Sequence, residues 1–101
     1  MGGREELHER LCTILGSRNV YYQPPEGFRL HYPCIVYERD RIGTHYAANL
    51  PYVHTVRYSV TAISSDPESP VPMQLSDMPM SSHERSFVSD NLYHDVFNIY
   101  Y

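Results

Sequence analysis

The chain has 101 residues, 42% of them hydrophobic and 20% charged, which suits one small domain with a single core and excludes a disordered segment. A formal net charge of -4 argues against a nucleic-acid binder, because neutralising phosphates takes a concentrated basic patch. All eight cations are arginine, spread from Arg4 to Arg85, and arginine favours fixed contacts to carboxylates, a hint of protein partners.

In chain order, residues 4–15 place Leu7, Leu11, Ile14 and Leu15 at helical spacing, with Glu5, Glu6, Glu9 and Arg10 on the opposite side. Acidic residues suit the positive end of the helix dipole, and Gly16 stands where the helix should end. An amphipathic helix that covers a sheet is expected. The preceding Met1-Gly2-Gly3 does not make a myristoylation signal, since Glu6 occupies the position where Ser or Thr is required. No run approaches the apolar length of a signal-peptide core or a membrane span, so a soluble protein made where it works is expected.

Residues 19–22 predict a short strand, stopped at Gln23-Pro24-Pro25, where two consecutive backbone donors are missing. Tyr32-Pro33 restarts an extended chain, and residues 34–40 predict a second strand with Ile35 and Tyr37 on one face and Cys34, Val36 and Glu38 on the other. Residues 41–51 are too long for a tight turn and lack a clear period. They form either a loop or an arm that docks on something else. Arg39, Arg41, Tyr46 and Tyr52, in and beside this segment, are residue types enriched at interfaces and are candidate contact residues.

Residues 53–63 carry the longest uninterrupted pattern. Val56, Tyr58, Val60 and Ala62 alternate with Thr55, Arg57, Ser59 and Thr61, the period of a strand with one apolar face. The polar face, with Arg57 on it, is free to meet water, a lumen or a neighbouring subunit. A turn cluster at residues 64–70 leads to a short helix over residues 71–78, closed by Pro79. Residues 83–89 and 92–101 predict two more strands joined at Asp90-Asn91. Leu92, Val96 and Tyr100 also fit a helix, but the aromatic and β-branched content sets the last segment as a strand. The expected fold is α+β: a mostly antiparallel sheet packed by the N-terminal helix and a second short helix, with a long strand-strand arm, in one domain spanning residues 1–101.

Chemistry-bearing patterns are sparse. Cys12 and Cys34 lack C-x-x-C spacing, and two buried thiols in a reduced cytoplasm are expected ahead of a disulfide. His8, His31, His45, His54, His83 and His94 show no H-x-x-x-H or H-E-x-x-H spacing that would hold a metal from one element. His94-Asp95 with Ser81, Ser82, Ser86 or Ser89 supplies the letters of a hydrolase triad. The G-x-S-x-G context is missing, however, and neighbours on a strand point to opposite faces. Phosphate-binding glycine loops are absent as well. The chain is therefore expected to be no enzyme and to use no cofactor or metal. Ten tyrosines, including Tyr21-Tyr22 and Tyr100-Tyr101, serve either as the large residues of a core without Trp or as a contact surface.

Four segments together resemble the small head-tail joining or tail-terminator proteins of long-tailed bacteriophages. They are L-C-T-I-L-G-S-R-N-V-Y-Y-Q-P-P-E (11–26), Y-P-C-I-V-Y (32–37), Y-S-V-T-A-I-S-S-D-P-E-S (58–69) and D-N-L-Y-H-D-V-F-N-I-Y-Y (90–101). The resemblance covers nearly the whole chain in order and spacing, although no segment is a chemically diagnostic motif. It implies an α+β fold and a structural role in the virion, at the junction of tail and head, after assembly in the cytoplasm of the host bacterium. The implied partners are copies of the chain itself in a ring, typically a hexamer, with the tail tube protein below and the head connector or stopper protein above. DNA would pass through the ring without sequence-specific contact, and the acidic balance suits such a lumen. A monomeric adaptor or regulatory domain, and a small hydrolase, are the alternatives from other classes.

Overall fold

The structure, a computed structural model, describes residues 3–45 and 53–101. The element order is α1 (Arg4–Leu15), β1 (Val20–Tyr22), β2 (Cys34–His45), β3 (Val53–Ser64), α2 (Val71–Ser76), β4 (Ser81–Ser89) and β5 (Leu92–Tyr100). The five strands form one mixed sheet in the order β1-β2-β3-β5-β4, with the helices packed on one face, a compact and mostly strand-built α+β fold. All pairings are antiparallel except that of β1 with β2.

Helix α1 ends where Gly16 turns to φ +80 and donates its N–H to the Cys12 carbonyl at 2.8 Å, a left-handed cap that other residues adopt only with strain. Leu7 and Leu11 are fully buried against the sheet, each stabilising the fold by about 1.5–3 kcal/mol relative to exposure. They pack with Ile35, Tyr37, Val60, Leu75, Phe97 and Ile99 in the main core. Tyr37 is the largest fully buried side chain, and its hydroxyl is satisfied: Arg4 Nη1 donates to it at 3.2 Å, and His8 Nδ1 lies 2.7 Å away. Burial lowers the pKa of His8 and the nearby Arg4 charge lowers it further, which favours the neutral ring; in the tautomer protonated at Nε2, Nδ1 accepts the Tyr37 hydroxyl hydrogen. The Arg4 guanidinium also covers the Tyr22 ring at 4.4 Å, while Tyr58 meets Tyr37 edge-on. Tyrosine thus acts as the large core residue on the helix side.

The other face of the sheet differs from the open polar surface that its Thr/Ser alternation suggests. Cys34, Ile63 and Val96 project there and are buried outside the main core. Residues 23–33 fold back along β1, with Phe28 edge-on to Tyr21 at 5.3 Å and His31 donating its N–H to the Tyr21 hydroxyl. Ser59, Thr61 and Asn98 are half-buried between these apolar neighbours. Both cysteines are free and buried, and they lie on opposite sides of the sheet. Burial pushes the Cys34 thiol up to about 11, which keeps it protonated and inert.

Strand boundaries depart from sequence expectation in one informative place. The second strand does not stop at Asp40 but continues to His45, paired with β3 down to His45 opposite Val53. A bulge at Asp40 sits where the expected strand ended. Such a kink interrupts side-chain alternation without ending the ladder.

Candidate functional site

Three surfaces are candidates for function: the β2–β3 ribbon, the β4 edge and a cavity at the opposite end of the sheet. The ribbon comes first because the expected contact residues Arg39, Arg41 and Arg57 lie on its two strands. Among the described residues no third strand pairs with either beyond Arg41–Arg57, since β1 stops opposite Tyr37 and β5 stops opposite Arg57, although the Tyr101 N–H still donates to the Val56 carbonyl at 3.1 Å and Val56 packs against the core. The last three rungs, Gly43–Thr55 to His45–Val53, extend past these contacts as a two-stranded ribbon. An isolated ribbon of this kind is marginal in water.

At its base the bulge sets Arg41 opposite Arg57 in the backbone register. Asp40 meets Arg57 there: one carboxylate oxygen accepts from Arg57 Nε at 2.8 Å and Nη2 at 2.6 Å. That hydrogen bond raises the Arg57 pKa above its ordinary value. Arg57 is thus half-buried and engaged within its own chain. Arg39 is exposed on β2, and its backbone N–H donates to Gln23 Oε1. Tyr46 and Tyr52 lie outside the described residues, as does the side chain of Arg41.

Strand β4 is the other long edge. It is exposed at every position after Ser81, no strand among the described residues pairs with its outer side, and Phe87 and Val88 are exposed. On the face away from the helices, Phe87 stacks on His94 at 4.6 Å and Arg85 lies over the Phe87 ring. On the helix side, His83, Ser86 and Asp95 converge. His83 Nε2 is 3.0 Å from Ser86 Oγ and 3.2 Å from Asp95 Oδ1, and Ser86 Oγ donates directly to Asp95 Oδ1.

This cluster contains the residue types of a hydrolase triad but not its wiring. A triad places carboxylate and nucleophile on different ring nitrogens, so that the imidazole takes the serine proton. Here both contacts fall on Nε2, and the serine proton goes to the carboxylate. The arrangement is a clamp between β4 and β5. His94, the histidine that sequence pairs with Asp95, is on the other face, as strand alternation requires.

Sequence reasoning missed this cluster for a definable reason. The turn at Asp90 and Asn91, both at positive φ, fixes Ser89 opposite Leu92, and counting back sets Ser86 opposite Asp95. That much is legible. A bulge at Glu84 then shifts His83 from the register position opposite Asn98 to the one opposite Phe97, and so onto the face of Asp95. Nothing in the residue pattern announces that bulge.

The cavity lies beyond the α1 C-terminus and beside the start of α2, with a volume of about 280 Å3. Leu15, Ala62, Ile63 and Val71 give it apolar walls, Asp66 and Asp95 line it, and Tyr93 stands partly exposed beside it. Among the described residues, no group of three or more His, Cys, Asp or Glu side chains is placed to hold a metal ion, and no helix is long and apolar enough to cross a membrane.

Searches for related proteins found no family model, no curated protein and no solved structure that matches this chain.

Proposed function

We propose that the chain is a structural subunit of the neck of a long-tailed bacteriophage, a tail terminator or head-tail joining protein that forms a ring at the head end of the tail tube. The observation that carries this reading is the β2–β3 ribbon, whose last three rungs pair with no third strand among the described residues. A two-stranded ribbon gains stability by docking on another surface, and a head-to-tail ring supplies such a surface on every neighbour. The exposed β4 edge offers backbone groups to a further strand. The sequence segments that resemble tail-terminator proteins support the same role, and so does the wiring of His83, Ser86 and Asp95, which suits a clamp better than a catalyst.

The deciding experiment is electron microscopy of particles assembled without the protein. Overlong tails identify a terminator, and normal tails detached from filled heads identify a joining protein. Intact particles would overturn the reading. Within it, Arg41→Ala with Tyr46→Ala should reduce oligomer size while leaving the monomer folded, and an unchanged oligomer would remove the ribbon from the contact. A single-partner adaptor is the second reading, because an open edge such as β4 also suits strand addition by one peptide. It predicts a monomer both alone and with tails present.

A further inference from the structure

The cavity lies at the sheet end remote from the ribbon, and its chemistry is specific. Its lining pairs an apolar base, Leu15, Ala62 and Val71, with two carboxylates, and it includes no Arg, Lys or His side chain. At about 280 Å3 it falls below the range of about 300–1,000 Å3 typical of pockets for drug-sized ligands, so a single long side chain fits it better than a cofactor.

Asp95 points toward a cation. Both of its contacts, from Ser86 and His83, use Oδ1, and its side chain is only 24% exposed beside apolar walls. A carboxylate in that setting gains from a paired positive charge at its second oxygen. Asp66 is held in place, because its Oδ1 accepts the Glu68 N–H at 2.9 Å and its own N–H donates to Ser64 Oγ. Tyr93, partly exposed, gives an aromatic face on which a planar cation stacks.

We propose that this cavity receives an arginine side chain from a partner protein. The aliphatic stem would lie on the apolar base, and the planar guanidinium would reach the two carboxylates and the Tyr93 ring. Guanidinium geometry favours arginine over lysine here, since a fork of donors can bridge two acceptors while a point charge cannot.

The probe is a blocked Gly-Arg-Gly peptide, compared with the same peptide carrying citrulline, titrated into isotope-labelled protein at low salt and followed by amide chemical shifts. The arginine peptide should shift the amides of Ala62, Ser69 and Ser86. Citrulline should bind about tenfold more weakly or worse, the factor expected for losing one charge-assisted hydrogen bond. Asp95→Asn should cost a similar factor. Ala62→Leu keeps both carboxylates but fills the base, and it should abolish the shifts while the remaining spectrum stays that of the folded protein. Equal binding of the two peptides, or binding retained in Ala62→Leu, would overturn the proposal. So would self-association that Asp95→Asn abolishes while neither peptide binds, since the occupant would then be a second copy of this chain.

Discussion

Strands β3 and β4 lie in the same sheet on either side of β5, yet they are built from opposite principles. In β3 the apolar face is sealed, with Tyr58, Val60 and Ala62 buried under the helices, and Ile63 is buried on the reverse side. In β4 almost everything is in water, and the strand is held by its ladder to β5 and by the His83–Ser86–Asp95 clamp. Burial makes β3 part of the unit that opens only when the whole fold does. Exposure places β4 among elements that open locally, at lower free energy. A strand that contributes little to the core, and still keeps nine residues in register, is a strand free to serve a partner.

The largest effect should come from the β3 side. Leu11→Ala empties a fully buried position in the main core and should cost about 2–5 kcal/mol in denaturant unfolding, with amides of β3 losing protection together with the rest. If β3 kept its protection while β4 lost its own, the division between the two strands would be wrong. Tyr37→Phe should cost less, about 1–3 kcal/mol, because it leaves the Arg4 donor and the half-buried His8 ring without the hydroxyl they share. A neutral result would mean that water replaces that hydroxyl at no cost.

The two strands also differ in how far sequence alone reveals them. The alternation in residues 53–63 places a strand there, and the structure extends it by one residue, to Ser64. Val60 and Ala62 lie on the buried face as their period requires. The helix at Arg4–Leu15 agrees residue for residue, because apolar spacing, acidic first turn and terminal glycine all point one way. The last strand, Leu92–Tyr100, was balanced between helix and strand on spacing alone, and its Val, Ile and Tyr content decided correctly.

What stayed hidden depends on register. The bulges at Asp40 and Glu84 carry β2 past its expected end and turn His83 toward Asp95, and a bulge is a property of paired strands with no residue signature of its own. The burial of Cys34 and Val96 on the second face was equally illegible, since alternation marks which residues share a face and not what packs on it. Of the expected contact residues, Arg57 lies on the predicted strand, but Asp40 already occupies it, a pairing that only the bulge creates.

On the β4 side the expected effect is small and local. Ser86→Ala removes the donor to Asp95 and should lower global stability by about 1 kcal/mol or less, the scale of one partly exposed hydrogen bond. Hydrogen exchange in residues 81–89 should accelerate while residues 58–63 stay protected. The same variant examines the clamp chemically. Background hydrolysis of an activated ester should be identical in both proteins, and a loss confined to Ser86→Ala would turn the clamp into a catalytic serine.

The smallest effect belongs to pH, and it returns the comparison to the buried side. The folded protein lowers the His8 pKa below its ordinary value of 6.5, first through burial of the ring and then through the Arg4 charge. In the unfolded chain the ring therefore binds a proton at higher pH than in the fold. Stability from this site is complete above about 6.5 and is lost as pH falls through the folded value, because the unfolded state takes up the proton first. The Tyr37 hydroxyl sharpens the effect, since a protonated ring can no longer accept its hydrogen and the central tyrosine would have to turn its proton elsewhere. Denaturation midpoints measured between pH 7.5 and 5.5 should decline in the natural protein and decline less in His8→Gln, whose amide stays neutral throughout. Equal slopes in the two proteins would show that the ring next to Tyr37 takes no part in the acid sensitivity of the fold.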